Sequence, residues 1–108
     1  MATSKEYADF VCEQVTGLGV VRSKKMFGEY MVYIDDKPIL LVCDNTVFIK
    51  MLDCVSDLME SAETAAPYDG AKLHYILDIE NRELTEEAVK RLLEVIPVPK
   101  PRKKKVKE

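Results

Sequence analysis

The stretch from residue 20 to residue 51 constrains the fold of this chain more than any other part of its sequence. It contains four short segments rich in Val, Ile and Tyr, at residues 20–24, 29–34, 38–43 and 46–51. Two of the connections are very short, Asp35-Asp36-Lys37 and Asp44-Asn45, and Asp and Asn tolerate the left-handed backbone angles of tight hairpins. Connections this short join antiparallel neighbours. The sequence therefore predicts a meander of three or four antiparallel strands.

Apolar residues at helical spacing flank this meander. Residues 4–18 present one apolar face, with Thr3 and Glu6 in the positions of a capping box. Residues 53–61 predict a short second helix capped by Asp53, and residues 73–79 alternate like a fifth strand. A last helix is expected from a cap at Thr85 through Val95 or Ile96, and Pro97 ends it. The order α-β-β-β-β-α-β-α predicts a two-layer α+β domain, with helices on one face of an antiparallel sheet of about five strands.

Charge divides the sequence into an acidic body and a basic tail. Residues 1–99 hold ten Lys or Arg and eighteen Asp or Glu, a net charge of −8, whereas residues 100–108 carry +5, which together give the net charge of −3. Residues 97–108 combine three prolines with this cationic run and predict a disordered tail after a domain at residues 1–96. The candidates for nucleic-acid contact are the tail cations Lys100, Arg102, Lys103, Lys104 and Lys105.

Residues that carry catalysis or bind metals are sparse. Cys12, Cys43 and Cys54 lack CxxC spacing, His74 is the single histidine, and no glycine loop precedes a helix in a phosphate-binding context. We therefore expect no enzyme activity, no catalytic residue, no metal site and no cofactor. The chain opens without a signal peptide and has no apolar run of the roughly 20 residues that cross a bilayer, so we expect free thiols and a cytoplasmic location without a membrane partner.

The segment VRSKKMFGEY, residues 21–30, is the candidate binding site. It places a basic group directly before an aromatic residue in an otherwise acidic body, and Gly28 allows a bend between the first two strands. Two interpretations are open: solvated lysines beside a core Phe27, or a contact patch for an acidic or nucleotide-bearing partner. Under the second interpretation the predicted site consists of Arg22, Lys24, Lys25, Phe27, Gly28 and Tyr30.

The same segment resembles a known family. Residues 22–30, RSKKMFGEY, together with the strand-rich residues 40–50, are similar to the N-terminal domain of the TfoX (Sxy) competence regulators, which carry an Arg-x-Met-Phe-Gly-Gly-Tyr type of run at this place. Residues 66–68 and 72–75 look like the family's Pro-aromatic and Lys-x-x-Tyr region, whereas Glu29 stands where the family often has a second Gly. The resemblance covers about residues 4–96 and implies a compact α/β domain with helices packed on an antiparallel sheet.

The resemblance also implies a role in gene regulation. Full-length regulators of this family promote transcription of competence genes together with the cyclic-AMP receptor protein, and they generally add a C-terminal helical domain. This sequence has only twelve residues after Ile96, so we expect a stand-alone, single-domain member.

Three functions are open from the sequence. The first is a regulatory protein-interaction domain that acts through a partner such as a transcription complex. The second is a nucleic-acid-associating protein that uses the basic tail and the group Arg22, Lys24 and Lys25. The third is a small-molecule-binding domain with a pocket between residues 27–30 and residues 67–75. The sequence is compatible with a monomer or with a homodimer formed through an exposed edge strand.

Overall fold

Six strands and two helices make up the regular structure of the protein in a computed structural model that describes residues 3–26 and 29–98. In chain order these elements are α1 (Lys5–Gln14), β1 (Val21–Met26), β2 (Glu29–Ile34), β3 (Lys37–Cys43), β4 (Thr46–Lys50), β5 (Thr64–Ala65), β6 (His74–Ile76) and α2 (Arg82–Val95). A single 3₁₀ turn, Asp53–Val55, lies between β4 and β5.

The six strands form one antiparallel sheet in the order β1-β2-β3-β4-β6-β5. The predicted meander corresponds to β1–β4, and β6 returns to pair with β4. The six-residue β1 is one edge of the sheet, and the two-residue β5 is the other. The α+β class and the antiparallel sheet are confirmed, with six strands in place of about five.

Both predicted tight turns have the expected backbone. Asp35 and Asp36 have φ angles of 53° and 65°, and Asp44 and Asn45 have φ angles of 52° and 54°. Angles of this kind at both central residues match the right-handed twist of the flanking strands, which is why such turns close two-residue hairpins. Short polar side chains without glycine thus close both hairpins and set the register of the residues next to each turn.

A single apolar core lies between the sheet and the helices. Its members alternate along β2 and β4, which is the pattern of strands that bury one face, whereas β3 contributes the adjacent residues Ile39 and Leu40. Both helices contribute to the same cluster, so both cover the same face of the sheet. The completely buried side chains at its centre include Val11 and Val15 near α1, Val32, Ile34, Leu40 and Val42 in β2 and β3, and Val89 and Leu92 in α2.

The helix caps differ from the predicted ones. Ser4, not Thr3, is the N-cap of α1, and its hydroxyl oxygen accepts a hydrogen bond from the Tyr7 N–H at 3.1 Å. The helix α2 begins earlier than predicted, because the Asn81 side chain accepts from the Leu84 N–H at 3.1 Å. The predicted caps Thr3 and Thr85 are both buried, and their hydroxyl groups bond elsewhere in the fold.

Three predicted elements are shorter than expected. The first helix ends at Gln14, where the predicted one continued to residue 18, because Gly17 has a φ angle of 98° and turns the chain. The predicted helix at residues 53–61 is only the 3₁₀ turn Asp53–Val55 followed by irregular turns. Asp53 is not its cap, and a segment this short cannot offset the cost of helix nucleation by itself. The fifth predicted strand is reduced to His74–Ile76.

The predicted tail begins at the edge of the described structure. Pro97 and Val98 follow α2 without regular structure, and the tail cations Lys100, Arg102, Lys103, Lys104 and Lys105 lie outside the described residues, as do Phe27 and Gly28. The division into a domain and a disordered tail therefore stays a prediction. Within residues 3–26 and 29–98, no helix has both the length and the apolar character needed to cross a membrane.

Candidate functional site

The predicted basic group lies on the edge strand β1. Four consecutive residues of this strand, 22–25, are exposed, while Val21 and Met26 at its ends are half-buried. The strand pairs with β2 along its whole length, with Val21 opposite Ile34 and Met26 opposite Glu29. Packing of Val21 against the core fixes which way the strand faces, and the cations are therefore presented at the rim of the sheet.

Arg22 is held in place by two contacts across the β1–β2 hairpin and the next turn. Its guanidinium lies 2.9 Å from Asp36 Oδ1 and stands over the ring of Tyr33, with 5.5 Å from Cζ to the ring centroid. Tyr33 is the residue directly opposite Arg22 in the register. Both charged groups of the ion pair are well exposed, so the pair orients Arg22 more than it stabilises the fold.

Lys24 and Lys25 point to opposite faces of the sheet. Successive side chains along a strand alternate, so Lys24 shares a face with Arg22, and Lys25 shares the helix-side face with Tyr30, its partner in the register. Neither lysine makes an ion pair with any residue in the described ranges. Both ammonium groups are therefore accessible to an anionic partner.

The predicted site residues line two separate cavities. Arg22 and Lys24 border a surface depression of about 460 Å³, whose other lining residues are Ser23, Tyr33, Asp36 and Val98. Tyr30 borders a second, mainly apolar cavity of about 470 Å³, together with Met26, Glu29, Met31, Leu41, Cys43 and Tyr68. The structure thus brings Tyr30 and Tyr68 to one cavity, as the pocket hypothesis expected, but it does not join that cavity to the cations.

Sequence reasoning missed three residues of this region. Tyr33 and Asp36 hold Arg22, and the signal for Tyr33 was its place across a predicted hairpin from the basic strand. Glu29 connects the start of β2 to the N-terminal segment, since its Oε1 accepts from the Thr3 hydroxyl at 2.7 Å and from the Asp44 N–H at 3.1 Å. No local pattern in the sequence indicates this last contact, because it joins residues 26 positions apart.

The cysteines do not form a reactive or metal-binding centre in the described part of the chain. No group of three or more His, Cys, Asp or Glu side chains is placed there to hold a metal ion. Burial, with the nearby carboxylates of Glu29 and Asp44, raises the pKa of the Cys43 thiol to about 11. The pKa of Cys12 is also raised, chiefly by burial. A thiol with such a pKa stays protonated at neutral pH and is a poor nucleophile.

We expect Cys43 to resist alkylation in the folded protein. Only 2% of its surface is exposed and its thiolate is scarce at pH 8, whereas Cys12 and Cys54 are half-buried. Treatment of the full chain with iodoacetamide at pH 8, followed by peptide mass spectrometry, is expected to modify Cys43 most slowly of the three. The control is the same reaction in denaturant, where all three should react; equal rates at Cys43 with and without denaturant would contradict the prediction.

Comparison with known proteins gives two matches. The family model described as the TfoX N-terminal domain matches residues 13–92 of the chain. The chain is also 37% identical over 109 residues to an uncharacterized 12.7 kDa protein in the trpE 5′ region of Spirochaeta aurantia, and the match covers 99% of this chain and 95% of that protein. The matched segment contains the whole sheet, including the cationic edge strand β1.

Proposed function

The chain belongs to the TfoX N-terminal domain family, and on this basis we propose that it is a small regulatory domain that acts by binding a protein partner and catalyses no reaction itself. The observation that carries the proposal is the exposed row Arg22, Lys24 and Lys25 on β1. These are three of the ten cations of a body whose net charge is −8, and they lie within one six-residue strand that has no acidic residue.

The distribution of charge favours a protein partner over nucleic acid. Affinity for a nucleic-acid backbone rests on many cations that meet successive phosphates. On β1 the cations form one short row, and without Arg22, Lys24 and Lys25 the rest of residues 1–99 holds seven basic and eighteen acidic side chains, a net charge of −11. A surface of that charge repels a polyanion that extends beyond the row, but it accepts a compact acidic segment of a protein.

The family resemblance supports a role in regulating transcription. Regulators of this family work with a transcription factor at competence promoters, so a complex of that kind is the class of partner we propose. The proposed place of action is the cytoplasm.

The proposal is tested by capture of partners from lysate of the native host after nuclease treatment. Immobilised full-length chain is compared with Lys24→Glu/Lys25→Glu, and quantitative mass spectrometry measures the proteins retained. We expect at least one protein to be retained by the unmodified chain and to fall by about tenfold with the double variant, because loss and reversal of charge at an interface changes binding by more than 1 kcal/mol.

The matched control is Lys72→Glu/Lys90→Glu, which makes the same change of charge at two exposed lysines away from β1. It should retain the same proteins as the unmodified chain. Equal loss with both double variants, or no protein enriched over a blank resin, would contradict a partner that binds at β1. Proteins that are retained from a parallel untreated lysate but lost after nuclease treatment would indicate the nucleic-acid alternative instead.

A further inference from the structure

The outer edge of β1 carries main-chain groups that the sheet does not use. The Asp35 N–H donates to the Val20 C=O at 2.9 Å, which makes Val20 and Asp35 a hydrogen-bonded pair in the register of β1 and β2. Hydrogen-bonded and non-hydrogen-bonded pairs alternate along an antiparallel ladder. Hence Arg22, Lys24 and Met26 direct their N–H and C=O groups to β2.

The alternation leaves Val21, Ser23 and Lys25 with main-chain groups that point away from the sheet. Within residues 3–26 and 29–98, no hydrogen bond reaches the backbone of these three residues from outside β2. They present three N–H and three C=O groups in the spacing of a strand, along residues that are mostly exposed. An edge of this kind is a template for one more strand.

The side chains on this edge select the charge of the added strand. Arg22 and Lys24 lie on one face and Lys25 on the other, so an added strand meets a cation whichever of its faces is considered. Opposite charges on neighbouring strands stabilise the pairing, and like charges directly opposite weaken it. The best occupant is therefore an extended segment that has acidic residues on both of its faces, or one that has them at every second position and so presents them all on one face.

Two other occupants fit this edge less well. If a second copy paired through its own β1 in antiparallel fashion, cations would face cations, for example Arg22 opposite Lys24 of the other copy when Ser23 is at the centre. The chain's own C-terminal segment starts close by, because Val98 borders the same depression as Arg22 and Lys24. Residues 100–108 carry +5, however, and this charge is repelled by the three cations of β1.

We propose that the β1 edge binds an extended acidic peptide segment of a protein partner, which joins the sheet as a seventh strand beside β1. This inference rests on the proposed function, since it names the chemistry of the partner and the mode of contact. The main chain of Val21, Ser23 and Lys25 supplies hydrogen bonds that are independent of the partner's sequence. The cations on the two faces supply the preference for acidic side chains.

The test is amide hydrogen exchange of the full-length chain, measured residue by residue by NMR, with a synthetic ten-residue peptide of alternating Glu and Thr. We expect saturating peptide to slow exchange at Val21, Ser23 and Lys25 by about tenfold, because these N–H groups gain acceptors, while Arg22 and Lys24 change little. A peptide of alternating Lys and Thr is expected to give no protection. Peptide binding without protection of these three amides would overturn strand addition, as would equal protection by a DNA strand of the same net charge.

Two variants separate the main-chain contact from the charges. In Ser23→Pro the missing N–H is one that points outward, so the β1–β2 ladder keeps its bonds, and proline is compatible with an edge strand in this position. We expect this variant, with its charge unchanged, to bind the acidic peptide about tenfold more weakly. Lys24→Glu/Lys25→Glu should abolish the protection, and Lys72→Glu/Lys90→Glu should leave it intact; unchanged binding in Ser23→Pro with native circular dichroism would overturn the proposal. If Ser23→Pro does not fold, the exchange data on the unmodified chain decide.

Failure of strand addition at β1 is distinguishable from failure of the proposed function. Host proteins captured through Lys24 and Lys25, combined with no protection of the β1 amides, would leave a partner-binding domain and remove strand addition. Absence of any β1-dependent partner, combined with protection by the acidic peptide, would leave the edge site and remove the regulatory role assigned to it.

Discussion

Replacing Gly19 by Ala is expected to lower the free energy of unfolding by about 1–3 kcal/mol, the range in which added atoms overpack a filled site. A Cβ at this position would lie 2.7 Å from Ile34 Cγ2 and 2.8 Å from Asp35 Oδ1. Ile34 is completely buried, and Asp35 Oδ1 accepts from the Val20 N–H at 2.9 Å, so neither neighbour can retreat without loss. Urea unfolding of the two proteins measures the difference.

Gly17→Ala is the matched control for this substitution. Gly17 has a φ angle of 98°, which strains any other residue, but open space surrounds the position of its Cβ. We expect it to lose about 1 kcal/mol from backbone strain alone. Since Gly19 leads directly into β1, Gly19→Ala should also weaken the pairing at the start of this strand, which faster exchange of the Asp35 amide, the donor to the Val20 C=O, would reveal. If the Gly19→Ala protein were as stable as the unmodified chain, the packing of residue 19 against Ile34 and Asp35 would be looser than these distances indicate.

Glu29→Ala is expected to cost about 1–3 kcal/mol of stability, since it removes the acceptor of two hydrogen bonds beside a buried hydroxyl group. Thr3 is only 6% exposed, and its hydroxyl donates to Glu29 Oε1 at 2.7 Å, with the Val42 C=O as a longer alternative at 3.2 Å. The same oxygen of Thr3 accepts from the Asn45 N–H at 3.3 Å. Glu29 therefore connects the segment before α1 to the β3–β4 hairpin, and thermal or urea unfolding measures its contribution.

Glu29→Gln provides the conservative comparison. The amide oxygen of Gln can accept the same two hydrogen bonds, although bonds to a charged acceptor are the stronger ones. We expect Gln to lose less than half of what Ala loses. If Gln and Ala were equally destabilising, the charge of Glu29 and not its hydrogen bonds would account for the effect; if neither changed stability, the connection would be unimportant.

The parts of the fold that follow from local chemistry were predictable from the sequence. Asp35-Asp36 and Asp44-Asn45 have the side chains that tolerate positive φ, so the hairpins and the antiparallel meander could be placed from a few residues. The family resemblance was likewise carried by a short run around β1, and the family model confirms it. The placement of Arg22, Lys24 and Lys25 on an exposed strand followed from the same local pattern.

The parts that depend on tertiary contacts were not predictable. Thr3 has a side chain suited to a helix cap, but its hydroxyl donates to Glu29 at the start of β2, and Ser4 caps the helix instead. Thr85 has the same local preference and lies fully buried inside α2, with its hydroxyl 3.4 Å from the Asp78 C=O. In both cases an acceptor outside the helix, 26 residues away for Thr3 and 7 for Thr85, competes with the helix end for one hydroxyl group, and the spacing of cap residues does not indicate that acceptor. The division of the predicted site between two cavities was not predictable for a similar reason, since it depends on the face of the sheet on which each side chain lies.

The order of the strands also limits how far this sheet can grow. At the β1 end it has a six-residue edge, and at the other end of the described sheet β5 offers only two residues, too few for a stable pairing. Open fibres arise when a molecule has two complementary edges, so that each added unit presents the next site. With a single usable edge, strand addition stops after one event. The domain is therefore monovalent for this kind of contact and resistant to polymerisation through its sheet.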